Sequence, residues 1–279
     1  EGASAGERSP FARLTDLLSP YTPGKPLINM SIGEPQHPVP GFVGPVLARH
    51  INDFGRYPIA KGIEPFRQAA AAWATKRFDL PKAVDPETEI LVLNGSREGL
   101  FFAAIAAARY AGPRNGPPAI LMPNPFYPAY AAGARAAGCE AVFLPTTRDN
   151  GFLPDLDSLS AETLERTVAF YLASPANPQG AVASRAYFDR VKQLADRHGF
   201  IVLSDECYSE IYTGEAPGSM LASAGKDFAN VVAFQSLSKR SNLPGLRVGF
   251  VAGDGKFLAR FHELRNVAAP QVPVPLQHV

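Results

Sequence analysis

The chain has 279 residues, of which 46% are hydrophobic and 19% charged, a composition with ample material for a core and unlike that of a mainly disordered chain. Its 27 Lys and Arg nearly cancel its 26 Asp and Glu, leaving a formal charge of +1. That balance gives no support to nucleic acid or an anionic membrane as the main partner. Two cysteines, Cys139 and Cys207, cannot build a disulfide framework. Neither they nor the scattered His37, His50, His198, His262 and His278 have zinc-ligand spacing, so no metal is expected. Glu1 to Ser9 lacks the basic and apolar regions of a signal peptide. The longest apolar stretches, such as Leu100–Ala108, fall short of the ~20 residues that cross a bilayer. The expectation is a soluble protein of the cytosol.

In chain order, a helix is predicted over Pro10–Leu18, then a Pro/Gly turn and a short strand at Leu27–Ile32. The Ala-rich stretch Ile63–Phe78 reads as helix, with Pro65 tolerated in the first turn. Strands are predicted at Ile90–Leu93, Ala119–Met122, Ala141–Leu144, Val168–Ala173, Phe200–Ser204, Val231–Phe234 and Val248–Ala252. Helical stretches lie between several of them, at Arg97–Tyr110, Ala129–Ala137 and Arg185–His198. In the last, Phe188, Val191, Leu194 and Ala195 share one face and Gly199 is a natural stop.

Short apolar runs alternating with helices signal βαβ units around a mostly parallel sheet buried on both faces. The fold class is therefore α/β. Residues 55–253 read as one large domain, with residues 1–54 and 254–279 contributing to a second, smaller unit. After the helix-like Gly255–Asn266 the chain enters a Pro-rich run and stops without a closing element, so it reads as cut.

Ligands of such sheets collect at the carboxyl ends of strands, and the polar punctuation falls there. Leu93 leads to Asn94-Gly95-Ser96-Arg97, Met122 to Pro123-Asn124-Pro125-Phe126-Tyr127, and Ala173 to Ser174-Pro175-Ala176-Asn177-Pro178. Ser204 leads to Asp205-Glu206-Cys207-Tyr208, and Phe234 to Gln235-Ser236-Leu237-Ser238-Lys239-Arg240. Backbone N–H groups opening a helix after Gly95 suit a phosphate, although Gly-Ser is also an ordinary cap. Lys239, after two hydroxyls at a strand end, could form a Schiff base with an aldehyde cofactor; the alternative is an exposed loop charge. Arg247 could clamp a phosphate or serve a structural ion pair. Asp205 could hold a pyridinium nitrogen protonated, and Asn177 and Tyr208 could bond a phenolate oxygen. Tyr127 offers a flat face to a ring. Taken singly, each residue is better explained by caps, turns and core packing, which are commoner than sites.

Taken together, Asn177-Pro178-x-Gly180, Asp205-x-x-Tyr208, Ser236-x-Ser238-Lys239 and Arg247 resemble the class I/II aminotransferases, pyridoxal-phosphate enzymes of the aspartate aminotransferase fold. The intervals of 28, 34 and eight residues from Asn177 through Asp205 and Lys239 to Arg247 fit that family. The resemblance implies a three-layer α/β/α transferase of fold type I, with a smaller domain that is incomplete here. It implies ping-pong transamination with pyridoxal 5′-phosphate as cofactor. Lys239 would be the catalytic lysine and Asp205 the partner of the pyridine nitrogen. Asn177 and Tyr208 would bond the phenolate oxygen, with Asn177 also facing substrate. Gly95, Ser96 and Arg97, with Ser236, Ser238 and Arg247, would form the phosphate cup. Tyr127 would stack on the ring, Tyr57 would reach the phosphate of the neighbouring subunit in a homodimer with shared sites, and Gly33 would line the substrate pocket. The family's substrate-carboxylate arginine would lie beyond Val279.

The loops Ser31–Pro38, Pro125–Tyr130 and Ser238–Gly245 look most like those of N-succinyldiaminopimelate aminotransferases, which act in lysine biosynthesis with glutamate as donor. The alternatives are an aspartate or aromatic aminotransferase, a carbon–sulfur β-lyase using the same lysine, or a cofactor-binding sensor domain. Nothing resembling a helix-turn-helix accompanies the chain, which weighs against the sensor.

Overall fold

The computed structural model describes residues 10–31 and 33–279, and the chain divides between Glu34 and Pro35 into two compact units. In the N-terminal unit, α1 spans Pro10–Leu18 as predicted. The predicted strand after it is absent over residues 27–31, and its last residue, Ile32, lies outside the described residues. A strand needs a neighbour to take its N–H and C=O groups, whereas Leu27, Ile28 and Met30 stay exposed.

The second unit holds α2 (Val43–Arg49), α3 (Glu64–Arg77), β1 (Ile90–Leu93), α4 (Ser96–Ala111), β2 (Ala119–Asn124) and α5 (Pro128–Ala136). It continues through β3 (Glu140–Pro145), α6 (Ala161–Arg166), β4 (Thr167–Ala173), α7 (Arg185–His198), β5 (Ile201–Asp205) and α8 (Met220–Ser223). β6 (Val231–Ser236), α9 (Leu237–Arg240), β7 (Gly249–Gly253), α10 (Gly255–Ala268) and α11 (Val274–Gln277) complete it. All seven predicted strands of this unit form one sheet, in the order β1-β7-β6-β5-β4-β2-β3. Every pairing is parallel except those of β7, which runs against both β1 and β6.

Because strand side chains alternate, each strand feeds two cores. On β4, Phe170 and Leu172 pack with α3, α7 and α8 on one face, while Ala169 and Tyr171 pack with α4, α5 and α10 on the other. The architecture is the expected three-layer α/β/α sandwich. Local signals set the helix ends: Ser184 Oγ accepts the Tyr187 N–H at the start of α7, and Gly199 closes it in the left-handed region.

The division of the chain differs from the expected boundaries after residues 54 and 253. Residues 35–54 and 254–279 sit in the sheet unit. The reason is apolar burial: Phe257, Leu258 and Phe261 of α10 are covered by the sheet. At the far end Gln277 Oε1 accepts the Ile63 N–H at 2.8 Å, and His278 stacks on His50 with ring centroids 3.6 Å apart. His50, Asp53 and His278 place ligand atoms within 4.8 Å of one another, a cluster that sequence spacing could not reveal. The imidazoles stack within 10° of parallel, and His50 Nδ1 lies 3.2 Å from Asp53 Oδ2.

Phe170, fully buried at the middle of the sheet, tests this core. Phe170→Ala should destabilise the fold by about 3–5 kcal/mol, read as a shift in the midpoint of urea unfolding.

Candidate active site

The reversed strand β7 assembles the site. Gly249 pairs with Leu93 on one side and Ser236 on the other. The carboxyl ends of β1 and β6 therefore flank the amino end of β7, and Asn94–Arg97, Leu237–Lys239 and Arg247 emerge together. Parallel pairing sets Ala173 beside Asp205 and Asp205 beside Phe234 along the same edge. A cavity of about 420 Å³ opens there. Of the sequence-predicted residues, Ser96, Arg97, Tyr127, Asn177, Asp205, Tyr208, Ser236, Ser238, Lys239 and Arg247 line it.

Gly95 stands just behind the lining at φ +73°, and a Cβ there would fall 2.2 Å from Arg247 Nη2. Only glycine lets the guanidinium occupy that place. Tyr57 is fully exposed and outside the cavity lining. Gly33 belongs to the N-terminal unit.

One end of the cavity is rich in donors. Ser236 Oγ caps α9 by accepting the Ser238 N–H at 3.1 Å, and the two hydroxyls lie 3.0 Å apart. Arg247 Nη1 donates to Pro244 O at 2.9 Å and to Ser238 Oγ at 3.4 Å. Arg247 itself holds φ +57°, a costly conformation for a non-glycine residue, which turns its side chain back toward these hydroxyls. Together with the N-terminus of the 16-residue α4, this end suits a dianionic phosphate.

The opposite end is acidic and phenolic. Asp205 Oδ2 accepts from Tyr130 Oη at 2.6 Å, and Oδ1 accepts the Cys207 N–H at 3.3 Å. Asn177 Nδ2 donates to Tyr208 Oη at 3.2 Å, so the phenolic proton of Tyr208 is left for another acceptor. Burial and the charge of Asp205 push the Tyr208 phenol above its usual range. The Lys239 ammonium lies 5.9 Å from the Tyr208 ring centre. Arg97 spends its Nε–H on Tyr127 Oη at 2.6 Å, which orients the Tyr127 ring rather than joining the Arg247 cluster. A group with a phosphate at one end, a basic ring nitrogen at the other and a phenolate oxygen between fits these donors and acceptors.

Residues 25–277 match the family Aminotransferase class I and II. The chain belongs to that family. Class I and II aminotransferases depend on pyridoxal 5′-phosphate. The chain is 35% identical over 246 residues to an LL-diaminopimelate aminotransferase of Syntrophobacter fumaroxidans, covering 87% of this chain and 61% of that protein. Among solved structures, an aminotransferase from Neisseria meningitidis superposes with a TM-score of 0.88 at 37% identity, covering 98% of this chain and 70% of its own. A probable N-succinyldiaminopimelate aminotransferase from Thermus thermophilus gives 0.78 at 33% identity, covering 90% and 66%. The chain thus spans 61% of that curated relative and 64% of another from Dehalococcoides mccartyi.

Three supporting features escaped the motif reading. Tyr130 lies one helical turn beyond Tyr127, a spacing that would have placed both on one side of the cavity. Glu98 accepts the Asn94 N–H at 3.0 Å and is paired with the buried Arg265 of α10, whose Nη1 also donates to Val92 O at 3.0 Å. That pair fixes the turn carrying Gly95 and Ser96. Glu206 is fully buried beside Asp205, where Ser204 Oγ, Ser219 Oγ, the Met220 N–H and Gln235 Nε2 all donate to it.

Desolvation outweighs those donors and pushes the Glu206 carboxyl up to about 7. A raised carboxyl holds its proton in the folded state after the unfolded chain has lost its own. Stability should therefore fall as pH rises from about 4.5 to about 7, by about 3 kcal/mol from this group. Glu206→Gln should flatten that part of a denaturation series against pH. Equal slopes in the two proteins would assign the titration elsewhere.

Proposed function

We propose that this chain catalyses pyridoxal-phosphate-dependent transamination between an amino acid and a 2-oxo acid in two ping-pong half-reactions. The observation that carries the reading is the meeting of Lys239, Asp205, Asn177 and Tyr208 in one cavity whose other end presents Ser96, Ser236, Ser238 and Arg247. When bound, the cofactor supplies an aldehyde for an amine and a pyridinium ring that draws electrons from the substrate α-carbon. Lys239 would hold the cofactor through its amine and, once displaced by the substrate amine, would be free to move a proton at that carbon. Asp205 holds the ring nitrogen, and Asn177 and Tyr208 bond the phenolate oxygen. Gly95, Ser96, Ser236, Ser238 and Arg247 hold the phosphate, while Arg97 orients Tyr127, which covers the ring. The exposure of Tyr57 fits a tyrosine that completes the site of a second copy, in a homodimer. Asn177 faces the substrate.

For the substrate, the loop motifs favour N-succinyl-diaminopimelate with 2-oxoglutarate, placing the enzyme in lysine biosynthesis in the cytosol. Among the described residues no helix is long and apolar enough to cross a membrane. The name of the Thermus structure supports the succinylated substrate. The names of the curated relatives favour a second reading, free LL-diaminopimelate.

Lys239→Ala should abolish the borohydride-reducible adduct with pyridoxal phosphate and nearly all transamination. An adduct retained on another lysine would overturn the assignment. Assays with both forms of diaminopimelate, with aspartate and aromatic amino acids, and for pyruvate release from a cysteine conjugate decide the substrate. Mixing inactive Lys239→Ala chains with Tyr57→Ala chains should recover activity in hybrid dimers once subunits exchange. An active, strictly monomeric protein by light scattering would exclude shared sites.

A further inference from the structure

Asp205 is held from behind by a stack of two tyrosines. Tyr130, fully buried on α5, donates from Oη to Asp205 Oδ2 at 2.6 Å. Its ring lies against Tyr171 of β4 with centroids 4.2 Å apart and planes 9° from parallel. Tyr171 is pinned in turn, donating to the backbone oxygen of Leu100 on α4 at 2.5 Å. Tyr127 closes the other side, its ring edge-on to Tyr130 at 5.8 Å. A phenol so enclosed has one rotamer and one acceptor.

We propose that Tyr130 is the positioning residue for Asp205, fixing the carboxylate's rotation and keeping it a hydrogen-bond acceptor toward the nitrogen of a bound pyridinium. The inference rests on the pyridoxal phosphate reading of this cavity. Burial and the charge of Asp205 push the Tyr130 phenol far above its usual range, so it keeps its proton and can only donate to the carboxylate. The Cys207 N–H reaches the other oxygen at 3.3 Å, at the long end of hydrogen bonding. Tyr130 is therefore the shorter of the two restraints on Asp205. Without its phenol the carboxylate would turn and compete for the proton of the ring nitrogen, weakening the ring's pull on electrons.

The test uses the 279-residue chain with added pyridoxal phosphate and two readouts that do not depend on turnover. These are cofactor affinity, from quenching of the single tryptophan, and the pH midpoint of the bound cofactor's absorbance change. Y130F, which retains the ring and the stack, should weaken affinity about tenfold and raise the midpoint by about one unit, the scale of one hydrogen bond to a charged group. Y171F, which keeps the stack and spares the Asp205 bond, should leave the midpoint unchanged. In a D205N background Y130F should add nothing. Should Y130F fail to fold, 3-fluorotyrosine at position 130, a stronger donor of nearly the same shape, should lower the midpoint instead. A folded Y130F with the parent midpoint overturns the proposal, as does an equal effect of Y130F in the D205N background. If the parent chain takes up no cofactor, the reading of the cavity fails first and this role with it.

Discussion

β7 runs against both of its neighbours, and the place where it does so is set by Gly249. A side chain at that residue would bring a Cβ within 2.5 Å of Gln235 O, so the close approach of β7 to β6 depends on glycine. The double pairing of Gly249 with Leu93 and Ser236 fixes three chain segments at one edge of the sheet. A parallel β7 would have carried Arg247 to the opposite edge, far from Ser238. The donor-rich end of the cavity exists because one strand is reversed.

The acidic end depends on a different constraint. Asp205 and Glu206 are adjacent carboxyl groups at the end of β5, and they are treated in opposite ways. Asp205 faces the cavity with one strong donor from Tyr130. Glu206 turns into the protein, where it ties Ser204, Ser219, Met220 and Gln235 together. The charge of Asp205 adds to the burial that already makes Glu206 costly to ionise. Burying Glu206 in a full set of donors gives β5, β6 and the start of α8 a common anchor while leaving Asp205 to face a ligand. The same region stays rigid through Tyr130 and Tyr171, whose stacked rings join α5 to β4.

Function in this fold is concentrated at loops carried by a stiff frame. The frame is specified redundantly, since every strand but the edge strand β3 is almost wholly buried between apolar helix faces. The loops are specified by few contacts: a cap by Ser236, a left-handed Arg247, a glycine at position 95, and the Glu98–Arg265 pair beneath it. Those few contacts hold the loops that line the cavity.

The sequence by itself determined every strand of the large sheet to within two residues at each end, because buried strands read as continuous apolar runs and their flanking polar residues are unmistakable. α7 was legible to the residue, since Ser184 and Gly199 mark its ends and an apolar stripe runs between them. The motif residues were legible too, and ten of them line one cavity. Tertiary structure alone decided the rest. Strand order and the reversal of β7 depend on packing between segments far apart in the chain, which leaves no local trace. The strand expected at Leu27–Ile32 does not form over residues 27–31 because nothing pairs with it, and pairing is not a property of one segment. α10 joins the sheet because Phe257 and Phe261 find an uncovered apolar face there. Tyr130 was hidden for the same reason: alone it is a tyrosine on a helix, and only the meeting of α5 with the end of β5 gives its hydroxyl a carboxylate to hold.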